Sequence, residues 1–147
     1  MKTPCLFLDA NVLIAAVKSP QGGSRLILNL AEQRKVRIFT VRHALREAER
    51  NIEDKFGKEY LLEYYQLLVA TDLLVQPIGD VEARIVLELE QVVAKKDVPI
   101  VLGALYSGAE FLITLDRKHL LGNSKLKVLH LPFVTLTPGD FIQNHIL

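Results

Sequence analysis

Two short apolar runs that each stop at an aspartate constrain this chain more than any other feature. Cys5–Leu8 ends at Asp9, and residues 111–115 end at Asp116. Neither run alternates polar with apolar residues, which marks a strand covered on both faces, as in a parallel sheet. Such strands must be joined by crossovers, and the intervening sequence is helical in pattern. Residues 10–17 read as a short helix before the breakers Ser19, Pro20, Gly22 and Gly23. Ser24 is then a candidate N-cap for a helix carrying Leu26, Ile27, Leu30 and Ala31. Residues 36–40 form the next strand, followed by a helical stripe at Val41, Ala44, Leu45, Ala48 and Ile52.

A polar break at 54–58 precedes a helix over 59–70, and a third strand over 73–78 is closed by Pro77 and Gly79. Asp80 is placed to cap a helix running to about Ala94, with Val81, Ile85, Leu89 and Val92 on one face. Asp97 opens another helix, with Pro99 in its first turn and Gly108 past its end. After the strand at 111–115, residues 127–131 supply a last one.

This alternation predicts an α/β fold: a three-layer α/β/α sandwich around a mainly parallel sheet of four to five strands, with right-handed crossovers. At 147 residues the expectation is one domain over 1–147, able to bury roughly 70% of its unfolded surface. Half the residues are apolar and 24% are charged, a composition that excludes a disordered chain. No apolar run approaches the roughly 20 residues that span a bilayer. The N-terminal segment imitates a signal peptide, but Asp9 and Asn11 interrupt it and it reads as a first strand and helix. A single cysteine, Cys5, rules out an internal disulfide and fits a reducing compartment, so a cytoplasmic location is expected. The net charge of +1 neither supports nor excludes a nucleic-acid partner.

Ligands of open α/β sheets bind beyond the carboxyl ends of the strands, and this rule sorts the acids. Asp9 and Asp116 both follow strands. The helix opened by Asp97 runs back against the strand ending at Asp116, so Asp97 returns to the same edge. Glu47 lies in the first two turns of the helix after the strand ending near Thr40, again toward that edge. Each aspartate alone reads most simply as a cap or turn residue; converging on one edge, they read as a site for a hard divalent cation with oxygen ligands. Helical phase does not choose Glu47, since Glu49 points nearer the buried stripe.

Together these segments resemble the PIN-domain nucleases, which include many toxins of toxin–antitoxin pairs. The resemblance spans nearly the whole chain: Leu8-Asp9-Ala10-Asn11-Val12-Leu13-Ile14, Glu47-Ala48-Glu49-Arg50-Asn51-Ile52, residues 97–104, residues 113–120 and the closing residues 136–141. It implies a metal-dependent ribonuclease using one or two Mg²⁺ or Mn²⁺ ions on Asp9, Glu47, Asp97 and Asp116. The spacing of Glu47 from Asn51 and Ile52 is what prefers it to Glu49. Asn11 and Thr114 match accessory positions that orient the acids. Arg117 and Lys118 are candidate contacts to the phosphate backbone, and His119 reads as a loop residue without catalytic duty. The resemblance also implies a homodimer and an antitoxin protein as partner.

Two other readings compete. A PIN-like scaffold can bind RNA or protein without cutting. Receiver domains and aspartate-nucleophile phosphatases share the α/β layout, but Asn11 stands where such phosphatases carry a second aspartate, and Pro77-Ile78-Gly79-Asp80 does not supply the receiver's Asp directly after the third strand.

Overall fold

The strand with the most apolar sequence becomes the centre of the sheet. In the computed structural model, which describes residues 2–147, Leu6, Phe7 and Leu8 of β1 (Cys5–Leu8) are fully buried. β1 pairs in parallel with β2 (Arg37–Thr40) on one side and β4 (Phe111–Ile113) on the other, with Leu6 opposite both Ile38 and Phe111. β3 (Leu74–Val75) extends the sheet beyond β2, and β5 (Val134–Leu136) extends it beyond β4. The result is five parallel strands in the order β3-β2-β1-β4-β5, in agreement with the expected fold class.

Parallel pairing forces every connection to cross the sheet through helices. α1 (Ala10–Lys18) and α2 (Gly23–Glu32) join β1 to β2, and α3 (Arg42–Phe56) and α4 (Lys58–Thr71) join β2 to β3. These four helices pack on one another, and α8 (Pro138–His145) docks on α2. Arg25 of α2 ties three of them together, donating to the Ala16 carbonyl at the end of α1 and pairing with Glu63 of α4 at 3.1 Å. The return from β3 to β4 runs through α5 (Ala83–Glu90) and α6 (Val98–Ser107), and α6 lies against β1 and β2. Gly103 permits that approach: a Cβ there would sit 2.6 Å and 2.7 Å from the Phe7 ring and closer still to Val41.

Some boundaries differ from those the sequence pattern predicts. The strand expected at 127–131 is absent; α7 (Ser124–Val128) runs into its first two residues, the rest is turn and irregular chain, and β5 begins only at Val134. The Asn123 side chain accepts from the Leu126 N–H at 2.9 Å and starts the helix, which buries Leu126. A local cap thus overrides a short apolar run that suited strand or helix equally. Ser24 is buried inside α2, and Gly22 takes the cap position. Asp80 caps nothing: α5 begins at Ala83 and ends at Glu90, before Ala94. Only Leu74–Val75 of the 73–78 run pairs as a strand, since Pro77 has no N–H to offer a ladder.

Candidate active site

Between β1 and β4 the sheet changes direction. The chain leaves β1 for β2 on one side and leaves β4 for β5 on the other, which opens a crevice at the carboxyl edge between them. Asp9, the residue after β1, and Thr114, the residue after β4, face each other across it. The Thr114 hydroxyl donates to Asp9 Oδ2 at 2.8 Å, and the Ala10 N–H donates to Asp9 Oδ1 at 2.8 Å. Asn11 lies within hydrogen-bonding distance of both, its Nδ2 3.4 Å from Asp9 Oδ2 and from Thr114 Oγ1. Its Oδ1 accepts from the Leu115 N–H at 3.0 Å. Asn11 therefore clips the end of β4 to the start of α1.

Thr114 serves the next acid as well, its Oγ1 accepting from the Asp116 N–H at 3.1 Å. Asp116 opens a π-helical turn, Arg117–Leu121, with Oδ1 accepting from the His119 N–H at 2.8 Å. His119 Nδ1 stands 3.2 Å from Asp116 Oδ2, so this histidine holds Asp116 from both backbone and ring. Its proximity follows from the three-residue spacing of a cap, a signal readable once Asp116 is taken as an N-cap.

Asp97 behaves differently. A short 3₁₀ turn, Lys95–Asp97, delivers it to the N-cap position of α6, yet its carboxylate caps no backbone N–H. Asp97 is buried, and its Oδ2 is the one buried side-chain oxygen or nitrogen without a hydrogen-bond partner among the described residues. Oxygen atoms of Asp97 and Asp116 and a ring nitrogen of His119 all lie within 4.8 Å of one another.

The acids feel each other. Burial pushes the Asp9 carboxyl up from 3.8 to about 6; the Thr114 and Ala10 hydrogen bonds oppose the rise, and the charges of Asp97 and Glu47 add to it. Burial likewise raises Asp97; Lys96 and His119 counter it, while Asp116 and Glu47 reinforce it. Glu47, half-buried on α3, thus acts on both aspartates. Glu49 acts elsewhere: it is exposed, and after burial its charge is the next cause that raises the Tyr64 hydroxyl on α4. Arg117 and Lys118 are exposed beside Asp116 and form no salt bridge among the described residues.

All four sequence-derived acids, with Asn11 and Thr114, are thus brought to one edge. The donor set fits a hard divalent cation. Its oxygens are carboxylates, its buried members hold their protons more tightly than usual because burial disfavours their charge and neighbouring acids add to it, and one buried oxygen has no hydrogen-bond partner among the described residues.

Comparison with known proteins agrees with this architecture. No curated protein matches the sequence. In fold, the chain is similar to a chain of the crystal structure of VapBC2 from Rickettsia felis bound to a DNA fragment from their promoter. The TM-score is 0.60 at 16% identity, covering 90% of this chain and 98% of that one. No helix among the described residues is long and apolar enough to cross a membrane. A family model for the PIN domain matches residues 6–118, from the second residue of β1 to just past Asp116, and the chain belongs to that family.

Proposed function

We propose that this protein is a metal-dependent endoribonuclease that hydrolyses phosphodiester bonds in single-stranded or looped RNA. The observation that carries the reading is Asp97 Oδ2, a buried carboxylate oxygen with no hydrogen-bond partner among the described residues, beside Asp116 and His119 and within electrostatic reach of Asp9 and Glu47 at the divergence of the sheet. Burying such a group without a partner costs several kcal/mol unless a cation or proton compensates. Asp9, Asp97, Asp116 and Glu47 would hold one or two Mg²⁺ or Mn²⁺ ions.

A divalent ion bound there would supply Lewis-acid stabilisation of the scissile phosphate and lower the pKa of an attacking water. The remaining work falls to the chain. Asp9, fixed by Thr114 and Ala10, presents a carboxylate that cannot rotate. His119 and the Thr114 hydroxyl fix Asp116 from its own turn. Glu47 completes the negative pocket from α3 and is placed to orient the nucleophile. Arg117 and Lys118 offer unpaired cations beside Asp116 for the phosphate backbone. Sequestering the carboxylates from solvent strengthens each of these interactions.

The likeness to a VapBC2 chain and membership of the PIN family support a role as the toxin of a toxin–antitoxin pair. In that role it would act in the cytoplasm as a homodimer, inhibited by a small antitoxin protein, and all of residues 1–147 would serve as one PIN domain.

The test is cleavage of structured and unstructured RNAs with Mg²⁺, Mn²⁺ or a chelator, for the wild type and Asp9→Asn. Metal-dependent cutting that Asp9→Asn abolishes is the expected result. Inactivity under every metal condition, with Asp9→Asn binding RNA as the wild type does, would instead make the chain a binding module.

A further inference from the structure

A second feature of the same sheet edge has no part in the acid centre. Between the carboxyl ends of β2 and β3 lies a groove of about 520 Å³ lined by Val41, Arg42, His43, Val75, Pro77 and Ile78, with Gln76. Its floor continues the sheet, since the Gln76 N–H bonds the Thr40 carbonyl at 2.7 Å. Its walls are of two kinds. Val75, half exposed, with Pro77 and Ile78, forms an apolar side. The other side is the first turn of α3, with Arg42 and His43 exposed and Arg46 exposed one turn on.

The two arginines are badly placed for the protein alone. They stand at the positive end of the helix dipole, where cations are disfavoured. The first turn of α3 holds no acid, and neither Arg42 nor Arg46 forms a salt bridge among the described residues. An anion in the groove would relieve both costs. The apolar wall calls for more than a free phosphate: it suits a flat, weakly polar group attached to one.

Position narrows the ligand further. His43 and Glu47 are four residues apart on α3 and so share a face, and Glu47 acts on Asp9 and Asp97. The groove lies two strand spacings from the β1–β4 crevice, about 10 Å along the edge. A strand whose phosphate lay at the acids would pass its neighbouring nucleotide into this groove. A base can enter only if it is unstacked and unpaired, and bases of single strands stack on imidazole rings and guanidinium planes.

We propose that the groove between β2 and β3 is a subsite for one unpaired nucleotide flanking the cleaved bond. His43 and the Val75–Pro77–Ile78 wall take its base, and Arg42 and Arg46 take its phosphate. The proposal rests on the nuclease reading above and names its substrate more narrowly, as a strand with an accessible base beside the scissile phosphate.

Fluorescence anisotropy tests it, with a short labelled oligoadenylate, an oligouridylate and an RNA duplex. Binding is measured with Mg²⁺ in an Asp9→Asn background so that the strand stays intact, and circular dichroism checks the fold of each variant. His43→Ala weakens single-strand binding about tenfold, and His43→Phe restores most of it. Arg42→Ala weakens binding and lowers the salt slope by about 0.7. Ile78→Asp, which places a negative charge in the groove, weakens single-strand binding and spares duplex binding. Arg37→Ala removes a cation from the opposite end of β2 and changes binding less than twofold. Unchanged single-strand affinity in folded His43→Ala, Arg42→Ala and Ile78→Asp would overturn the subsite; wild-type cleavage with Mg²⁺ would then show that the nuclease reading survives it. A parent chain that neither binds nor cuts RNA would overturn both.

Discussion

Asp9 and Asp97 are both buried at one sheet edge, yet the protein treats them in opposite ways. Asp9 has hydrogen-bond donors on both oxygens, from Thr114 and the Ala10 N–H. Asp97 has an oxygen that nothing meets. Asp9 is thus part of the frame as well as of the proposed chemistry, since it caps α1 and joins β1 to β4 across the crevice. Asp97 leaves a buried oxygen unmet, a cost that a bound cation would offset. A site built of one fastened acid and one free acid is held in shape without a metal and would be stabilised further by one.

Removing either acid should cost cleavage alike and stability unlike. Asp97→Ala and Asp9→Ala each lower the rate by a factor on the order of a thousand, as loss of several kcal/mol of ion-mediated stabilisation requires. In thermal melts without metal the two part company. Asp97→Asn raises the midpoint by relieving an unpaired buried charge. Asp9→Ala gives no comparable rise, since the Thr114 hydroxyl and Ala10 N–H lose their acceptor at a cost of about 1–3 kcal/mol that offsets the relief of its own buried charge. Equal shifts in the two melts would break the contrast.

Acidity sharpens the same comparison. In the metal-free protein the Asp9 carboxyl is raised to about 6, and Asp97 is raised in the same direction. A raised acid is more readily protonated folded than unfolded, so its stabilising contribution is complete below pH 3.8 and disappears as pH climbs through about 6. Asp9 alone accounts for roughly 3 kcal/mol of that loss. Melts from pH 4 to 7 should fall in chelator and recover with Mg²⁺ or Mn²⁺. A flat chelator profile would remove the unmet charge from the account.

Smaller effects test how the frame is held. Thr114→Val removes one hydroxyl that serves both Asp9 and Asp116, and should cost about 1–3 kcal/mol in melts. His119→Ala, which frees Asp116 on one side, should weaken metal binding about tenfold or more by calorimetry. Glu49→Gln should change cleavage less than twofold, whereas Glu47→Gln should impair it clearly; equal behaviour would remove the distinction between their positions on α3.

The edge itself was legible because it follows from local pattern. An unalternating apolar run announces a buried strand, the residue after it must lie at the carboxyl end, and a helix that leads by a short loop into β4 runs antiparallel to it and so starts at the edge where β4 finishes. Asp9, Asp97 and Asp116 could be placed that way; Glu47 could be placed toward the edge too, but only resemblance preferred it to Glu49. What eluded the sequence depends on competition between near-equal local choices. Residues 127–131 have the composition of a strand, but the helix that Asn123 caps runs into the first two of them. Asp80 has the right residue type for a cap, yet α5 starts beyond its reach at Ala83. His119 reads as an ordinary loop histidine until the turn after Asp116 is known to close on it. The difference between a satisfied Asp9 and an unsatisfied Asp97 is tertiary throughout and has no sequence signature.

The hydrogen bond between Asp9 and Thr114 joins residues 105 positions apart. Chains emerge during synthesis from the N-terminal side and long-range parallel pairings form late. Asp9 is made before its partner strand and before Asp97 and Asp116, so a nascent chain carries an incomplete acid centre until those residues have been added. For an enzyme that would cut RNA, this ordering is a built-in delay: no cutting centre exists until the chain has been read through Asp116.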